Sequence, residues 1–236
     1  MQSFLRYSFS RYLYFEIGGG YLFERYEKNL ERSGRAAAGP QSEEFNKYLL
    51  KSIFTQNRIN YFLHYLSGYA NQFSIEAVVT KGDEKVFWKV FNVWRWYLRR
   101  GERGNFAVRF RAGIAANDGS PFVPFVLDSY ITVRGSGNRV TRGTAEFTVN
   151  AEHRHTLLEK SWGAIQGVGF LDWSAWRPPG GSFSGLLEKE NNVTFAGVGV
   201  RFYFRKFYNL ILRVDYGMSL TETDEHGIVL GTRQYF

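Results

Sequence analysis

Apolar and polar residues alternate along this chain with a period of two, and the alternation recurs from end to end. Around Leu13 to Phe23 the odd positions read Leu13, Phe15, Ile17, Gly19, Tyr21 and Phe23, and the even ones Tyr14, Glu16, Gly18, Gly20, Leu22 and Glu24. Successive side chains of a strand point to opposite faces, so this row puts an apolar stripe on one face and a polar stripe on the other. Val86, Trp88, Val90, Trp94, Trp96 and Leu98 likewise oppose Lys89, Arg95 and Arg99, and Phe106, Val108, Phe110 and Ala112 oppose Arg109 and Arg111. Phe147, Val149 and Ala151 oppose Glu146, Thr148, Asn150 and Glu152, and Ile165, Gly167, Gly169, Leu171 and Trp173 oppose Gln166, Val168, Phe170 and Asp172. Nearer the end, Val198, Val200, Phe202 and Phe204 oppose Arg201, Tyr203 and Arg205; Leu210, Leu212 and Val214 oppose Arg213 and Asp215; Ile228, Leu230 and Phe236 oppose Arg233. Asn60 to Thr80 is less regular, but its odd positions Tyr61, Leu63, Tyr65, Tyr69, Phe73, Ile75, Ala77 and Val79 form one apolar row interrupted only by Ser67 and Asn71, which predicts a single long strand.

The joints between these segments alternate in length. Short ones fall at 56–58, 99–104, 157–161 and 206–209, and long or polar ones at 29–44, 117–143 and 174–192. Short turns at one rim and long loops at the other are how bacterial outer-membrane barrels are built, and a chain end at the short-turn, periplasmic rim keeps every long loop outside. The pattern predicts an all-β fold in one domain over residues 1–236, a transmembrane antiparallel up-and-down β-barrel of about ten strands, with twelve the alternative. Gln2 to Phe9 is a candidate further strand. A soluble barrel or sandwich fits less well, because charged and glycine faces this regular would have to fill a dry core.

Composition sharpens the compartment. Tyr 15, Phe 22 and Trp 6 make the chain 18% aromatic, yet its mean hydropathy is negative. A wall with one face on lipid and one on a wet interior gives that combination. No stretch approaches the roughly 18 uncharged apolar residues of a spanning helix, which leaves the closed barrel as the spanning structure. Cysteine is absent, as suits an oxidising compartment but also many cytosolic proteins. The net charge is +8, but the arginines lie singly on strand faces and in turns, so nucleic acid is not an expected partner. Arg6, Arg11 and Glu16 stand where a secretory signal has an unbroken apolar core, so either the sequence is that of a processed or trimmed chain or the compartment is a different one. The expected location is the bacterial outer membrane, with its lipids as partners.

Candidate chemistry is sparse. His153 and His155 share a strand face at i, i+2 without an evident third ligand, so no metal is expected. Ser182 and Ser184 flank Phe183, which takes the nucleophile position of the Gly-x-Ser-x-Gly spacing at Gly181 to Gly185, so no catalytic constellation and no cofactor are expected. The inward charges Arg109, Arg111, Arg201, Arg213 and Arg233 face Glu146, Glu152, Asp172 and Asp215, as a structural network or a transport path. Asp172 lies on the polar face beside Gln166, and Arg134 either belongs to a loop long enough to reach it or is a solvated loop cation. A guanidinium meeting a carboxylate in a confined site forms two parallel charge-assisted hydrogen bonds.

Val133-Arg134-Gly135 in the longest loop, Phe170-Leu171-Asp172, Gly197 to Phe202, Leu212 to Gly217, and Leu230-Gly231-Thr232-Arg233 with Phe236 occur in an order and spacing that resemble the BamA and TamA superfamily of bacterial surface antigens. The resemblance covers roughly residues 105–236; Ser136 stands where the family has an aromatic, and Ser174 where it has a glycine. It implies that the long external loop folds back into the lumen, latched by Arg134, Gly135 and Asp172, and that Gly231 and Phe236 form a C-terminal assembly signal. It also implies a small barrel that assists insertion or translocation of outer-membrane proteins, or a subunit of such a machine. The mechanism would be a weak seam between the first and last strands, and the partners other outer-membrane or periplasmic proteins. The chain has no room for the periplasmic repeats that the family carries before its barrel. A structural or small-solute barrel anchoring a complex is the alternative.

Overall fold

The computed structural model describes residues 2–28, 41–62, 65–82, 85–117, 124–137, 141–207, 210–221 and 224–236. It is all-β. In chain order the strands are β1 (Gln2–Ser10), β2 (Leu13–Lys28), β3 (Gln41–Phe62), β4 (Tyr65–Thr80), β5 (Val86–Arg100), β6 (Gly104–Ala115), β7 (Phe125–Leu127), β8 (Thr141–Gly143), β9 (Ala145–Lys160), β10 (Gly163–Arg177), β11 (Asn192–Phe204), β12 (Ile211–Ser219) and β13 (His226–Thr232). Eleven form one antiparallel up-and-down sheet, interrupted only between β6 and β9, which pair directly while β7 and β8 form a separate hairpin in the connection.

The expected count of ten or twelve strands is therefore eleven, with Gln2–Ser10 as the extra strand. The sheet is also open where a closed barrel was expected: among the described residues β1 pairs only with β2, and β13 only with β12. The edges are the reason. β1 is nine residues long and exposed throughout. β13 has seven residues and stops at Thr232, because Arg233 takes the left-handed conformation (φ 70°) and turns the chain off the sheet. The sheet is nonetheless strongly curled. The Tyr235 ring lies 4.9 Å from the guanidinium of Arg109 on β6 and 4.7 Å from that of Arg213 on β12, although three strands separate β6 from β12.

The two faces differ as the alternation requires. Outward-pointing Val198, Ile228, Leu230 and Trp96 are between 48% and 68% exposed, whereas inward Glu152, Arg154, Asp172, Arg201 and Asp215 are at most 1% exposed. This inverts the usual soluble arrangement of apolar inside and charged outside. Among the described residues no helix is long and apolar enough to cross a membrane.

The single strand expected over Asn60 to Thr80 is two. β3 and β4 pair from Phe62↔Tyr65 upward, and Leu63 of the expected row lies outside the described residues. The short joint expected at 56–58 is instead where β3 passes the start of β2: Leu13, the first residue of β2, pairs with Gln56, and β3 continues beside β4 alone. Gly68 (φ 102°) then shifts the phase of β4, so that Tyr65 turns inward and donates through its hydroxyl to Thr156 Oγ1 at 3.1 Å. Strand β10 runs on to Arg177 inside the expected loop 174–192, and the rest of that loop holds short 3-10 turns at Phe183–Leu187 and Lys189–Asn191.

Candidate functional site

The site is built around the connection between β6 and β9, which lies against the inner face of the sheet. Its tip is ordered by Asp128: the carboxylate Oδ1 accepts the backbone N–H of Tyr130 at 2.9 Å and of Ile131 at 2.6 Å, and the carbonyl accepts Thr132 Oγ1 at 2.7 Å. Side chains of the wall then hold the tip by its backbone. Arg109 Nη2 donates to the Ile131 carbonyl at 2.5 Å and Asn150 Nδ2 to the Thr132 carbonyl at 2.8 Å. Leu127 and Val133 complete an apolar cluster with Trp176, Val193 and Phe195. Ser136 borders this cluster and turns its hydroxyl back to the Val133 carbonyl at 3.1 Å. Leu127 and Val133 thus give the loop an apolar anchor without an aromatic side chain at position 136.

Arg134 reaches Asp172 through a fork: Nε donates to Oδ2 and Nη2 to Oδ1, both at 2.9 Å, and the Arg134 backbone N–H adds a third bond to Oδ2 at 3.0 Å. Nη1 meets Glu152 Oε2 at 2.5 Å. The guanidinium also lies over two rings, 3.7 Å from the centroid of Phe170 and 4.2 Å from that of Tyr235. Burial by itself would lower the Arg134 pKa, but the Asp172 and Glu152 carboxylates outweigh it and raise the value above that of an ordinary arginine. A loop cation removed from water is stable only with such partners, because burying a lone charge is very costly.

The other inward charges separate into groups. Glu152 also takes Arg154 Nε at 2.5 Å, Asp215 takes Arg201 Nη1 at 2.6 Å, and Arg213 Nη1 lies 3.8 Å from Asp215. Arg111 and Glu146 pair apart from these at 2.9 Å. Arg109 donates instead to Asn150 Oδ1, at 2.9 and 2.7 Å. Arg233 does not join the network as expected: its left-handed backbone leaves it exposed at the rim. It borders a cavity of about 880 Å3 between β2 to β5 and the end of the chain, with Tyr61, Tyr65, Tyr97, Gln234 and Phe236 among its lining.

Inner-face glycines make room for the loop. Gly217 on β12 pairs with Gly227 on β13. A Cβ at Gly217 would lie 2.5 Å from the Arg134 carbonyl oxygen, and one at Gly227 would lie 2.9 Å from that of Gly135. Gly135 itself has φ 96°, and a Cβ there would strike the Gly217 backbone at 2.7 Å. Gly231 has a local role: a Cβ would meet Arg213 Nε at 2.5 Å. Phe236 departs from its expected place on the outward row with Ile228 and Leu230. The turn at Arg233 carries Tyr235 and Phe236 to the inner face, where Arg154 Nη2 donates to the Phe236 carbonyl at 3.2 Å.

Sequence reasoning missed Arg154, Asn150, Phe170 as a stacking partner and Tyr235. Arg154 was legible, since it shares the inward row of Glu146 to Glu152. The role of Tyr235 was not, because it depends on the backbone turn at Arg233. His153 and His155 stack at 6.2 Å on the outer face, and among the described residues no group of three potential ligands gathers. No protein-family model matches the chain, and no curated protein matches it in sequence.

Proposed function

We propose that this chain is a BamA-like β-barrel wall of the bacterial outer membrane that assists insertion or translocation of outer-membrane proteins, alone or as a subunit of a larger machine. The observation that carries the reading is the Arg134–Asp172 fork, which ties the Val133-Arg134-Gly135 loop to Phe170-Leu171-Asp172 on the inner face of a sheet whose outer face is apolar. Edges left unpaired within hydrocarbon carry a cost of several kcal/mol for each unsatisfied group. In the membrane, either β1 itself or strands of a further chain therefore meet β13 and close the barrel. The place where they meet β13 is the weakest part of the wall, because that strand is short and its tail leaves the sheet. The loop, seated against Gly217 and Gly227, lies beside this seam.

A second reading is favoured by the buried network. Glu152, Arg134, Arg154, Arg201 and Asp215 fill the inner face over β9 to β12, which suits a structural barrel anchoring a complex better than a wide pore. Reconstitution separates the two. Liposomes carrying the chain should accelerate the folding of an unfolded eight-stranded outer-membrane barrel added from outside, and Arg134→Ala should lose that acceleration. An intact, membrane-inserted chain that leaves the folding rate unchanged would retire the insertion reading and leave the anchor.

A further inference from the structure

Beyond Thr232 the chain leaves the sheet in one step. The Arg233 N–H still closes the ladder, donating to the Ile211 carbonyl at 2.8 Å, and its φ of 70° then sends Gln234, Tyr235 and Phe236 inward. Gln234 contacts the Tyr203 hydroxyl. The Tyr235 ring faces three guanidinium groups from separate parts of the chain: Arg134 of the loop at 4.2 Å, Arg213 of β12 at 4.7 Å and Arg109 of β6 at 4.9 Å. Phe236 adds contacts to Arg109 at 5.0 Å and Arg154 at 5.8 Å.

We infer that residues 233–236 form a pin that couples the last strand to the loop, with Tyr235 as a positioning residue that holds Arg134 against Phe170 and Asp172. The coupling comes from shared contacts. With the tail inside, Arg134 contacts two rings; with the tail withdrawn, Arg134 keeps its fork but loses the Tyr235 ring, and Arg109, which also holds the Ile131 carbonyl, loses both Tyr235 and Phe236. Cation–ring contacts strengthen when desolvated, and Tyr235 is only 7% exposed. A non-glycine residue at positive φ is disfavoured unless its surroundings hold it. The turn at Arg233 is therefore kept by these inward contacts, and losing them returns the tail to the line of β13. By linkage the effect is reciprocal: whatever unseats the loop also frees the tail, by the same factor. The inference concerns this chain's own loop and tail and stands whether or not the chain acts on other proteins.

The absence of cysteine allows a clean test. Ser136→Cys places a thiol at a position only 9% exposed beside the loop tip, and its rate of modification by a small water-soluble maleimide, measured on the folded chain in detergent, reports loop release. In that background Tyr235→Leu, which keeps an apolar side chain without the ring, should speed modification about tenfold. Tyr235→Phe should leave it slow, because the stacking ring remains. Asp172→Ala is the control for the latch and should also speed it. A rate unchanged by Tyr235→Leu while Asp172→Ala raises it would overturn the pin and leave the latch standing. A rate unchanged by both would overturn the latch as well as the pin. If Tyr235→Leu lost its β-sheet circular dichroism, deletion of residues 234–236 would replace it, with the same expected acceleration and the same contrary result.

Discussion

Arg134 is the residue on which the inner architecture turns, because it carries loop, wall and tail contacts at once. Removing it strands Asp172 and part of Glu152, and removing Asp172 leaves the guanidinium with Glu152 as its one carboxylate. Either loss of a buried partner costs about 3 to 5 kcal/mol. The two losses should overlap: a double-mutant cycle on thermal or denaturant stability should give a coupling of about 0.5 to 3 kcal/mol, against near-additivity for residues apart. Additive single variants would separate the pair. Arg134→Lys should recover little, since an ammonium cannot reproduce the two parallel bonds. Glycine gives a second test at this scale. Gly217→Ala drives a Cβ to 2.5 Å from the Arg134 carbonyl and should unseat the loop, whereas outward Gly169, with nothing within 4 Å, should accept alanine with little change. Equal tolerance of both substitutions in a denaturation series would mean that the loop does not sit on Gly217. The Arg134–Asp172 pair was legible in the sequence, because alternation places Asp172 on the polar row and the resemblance of Val133-Arg134-Gly135 to the BamA and TamA loop motif singles out Arg134. The glycine seat and the tail were not, since both depend on backbone approach between segments distant in sequence.

Among the elements, period two served well wherever the backbone stays regular. It gave the facing of β5, β6 and β9 to β12, because one shifted residue would move every side chain of a strand to the other face. It failed where Gly68 changes the phase of β4, where β3 overruns the start of β2, and where Arg233 ends β13. The substitution test follows from the faces. Leu212→Arg and Phe202→Arg put a cation on the outer face, at a cost of roughly 2 to 4 kcal/mol near the membrane midplane. Thr148→Arg, which the alternation alone offers as a mild inward change, is a poor control: Thr148 is fully buried, 2.6 Å from Ser174 Oγ. Gln72→Arg is the better one, because Gln72 borders the large cavity and is exposed. Folding yields in lipid should fall for the two outer changes and hold for Gln72→Arg; the opposite order would reverse the assignment of faces.

For the whole molecule, the central claim is that the exposed apolar face lies against lipid. Trp88, Trp94 and Trp96 stand on the outer face of β5, each between 38% and 48% exposed, while Trp176 is buried inside. Contiguous exposed apolar surface on this scale marks contact with a membrane or a partner. The most direct measurement is quenching of tryptophan fluorescence by lipids brominated along their acyl chains, with the chain reconstituted in bilayers. A lipid-facing wall gives strong quenching, reduced in the Trp88→Phe, Trp94→Phe, Trp96→Phe triple variant, which keeps Trp173 on the outward row of β10, while iodide in the aqueous phase reaches mainly Trp162, 42% exposed in the turn between β9 and β10. Fluorescence untouched by brominated lipid but quenched by iodide would place the same face in water and contradict the membrane reading.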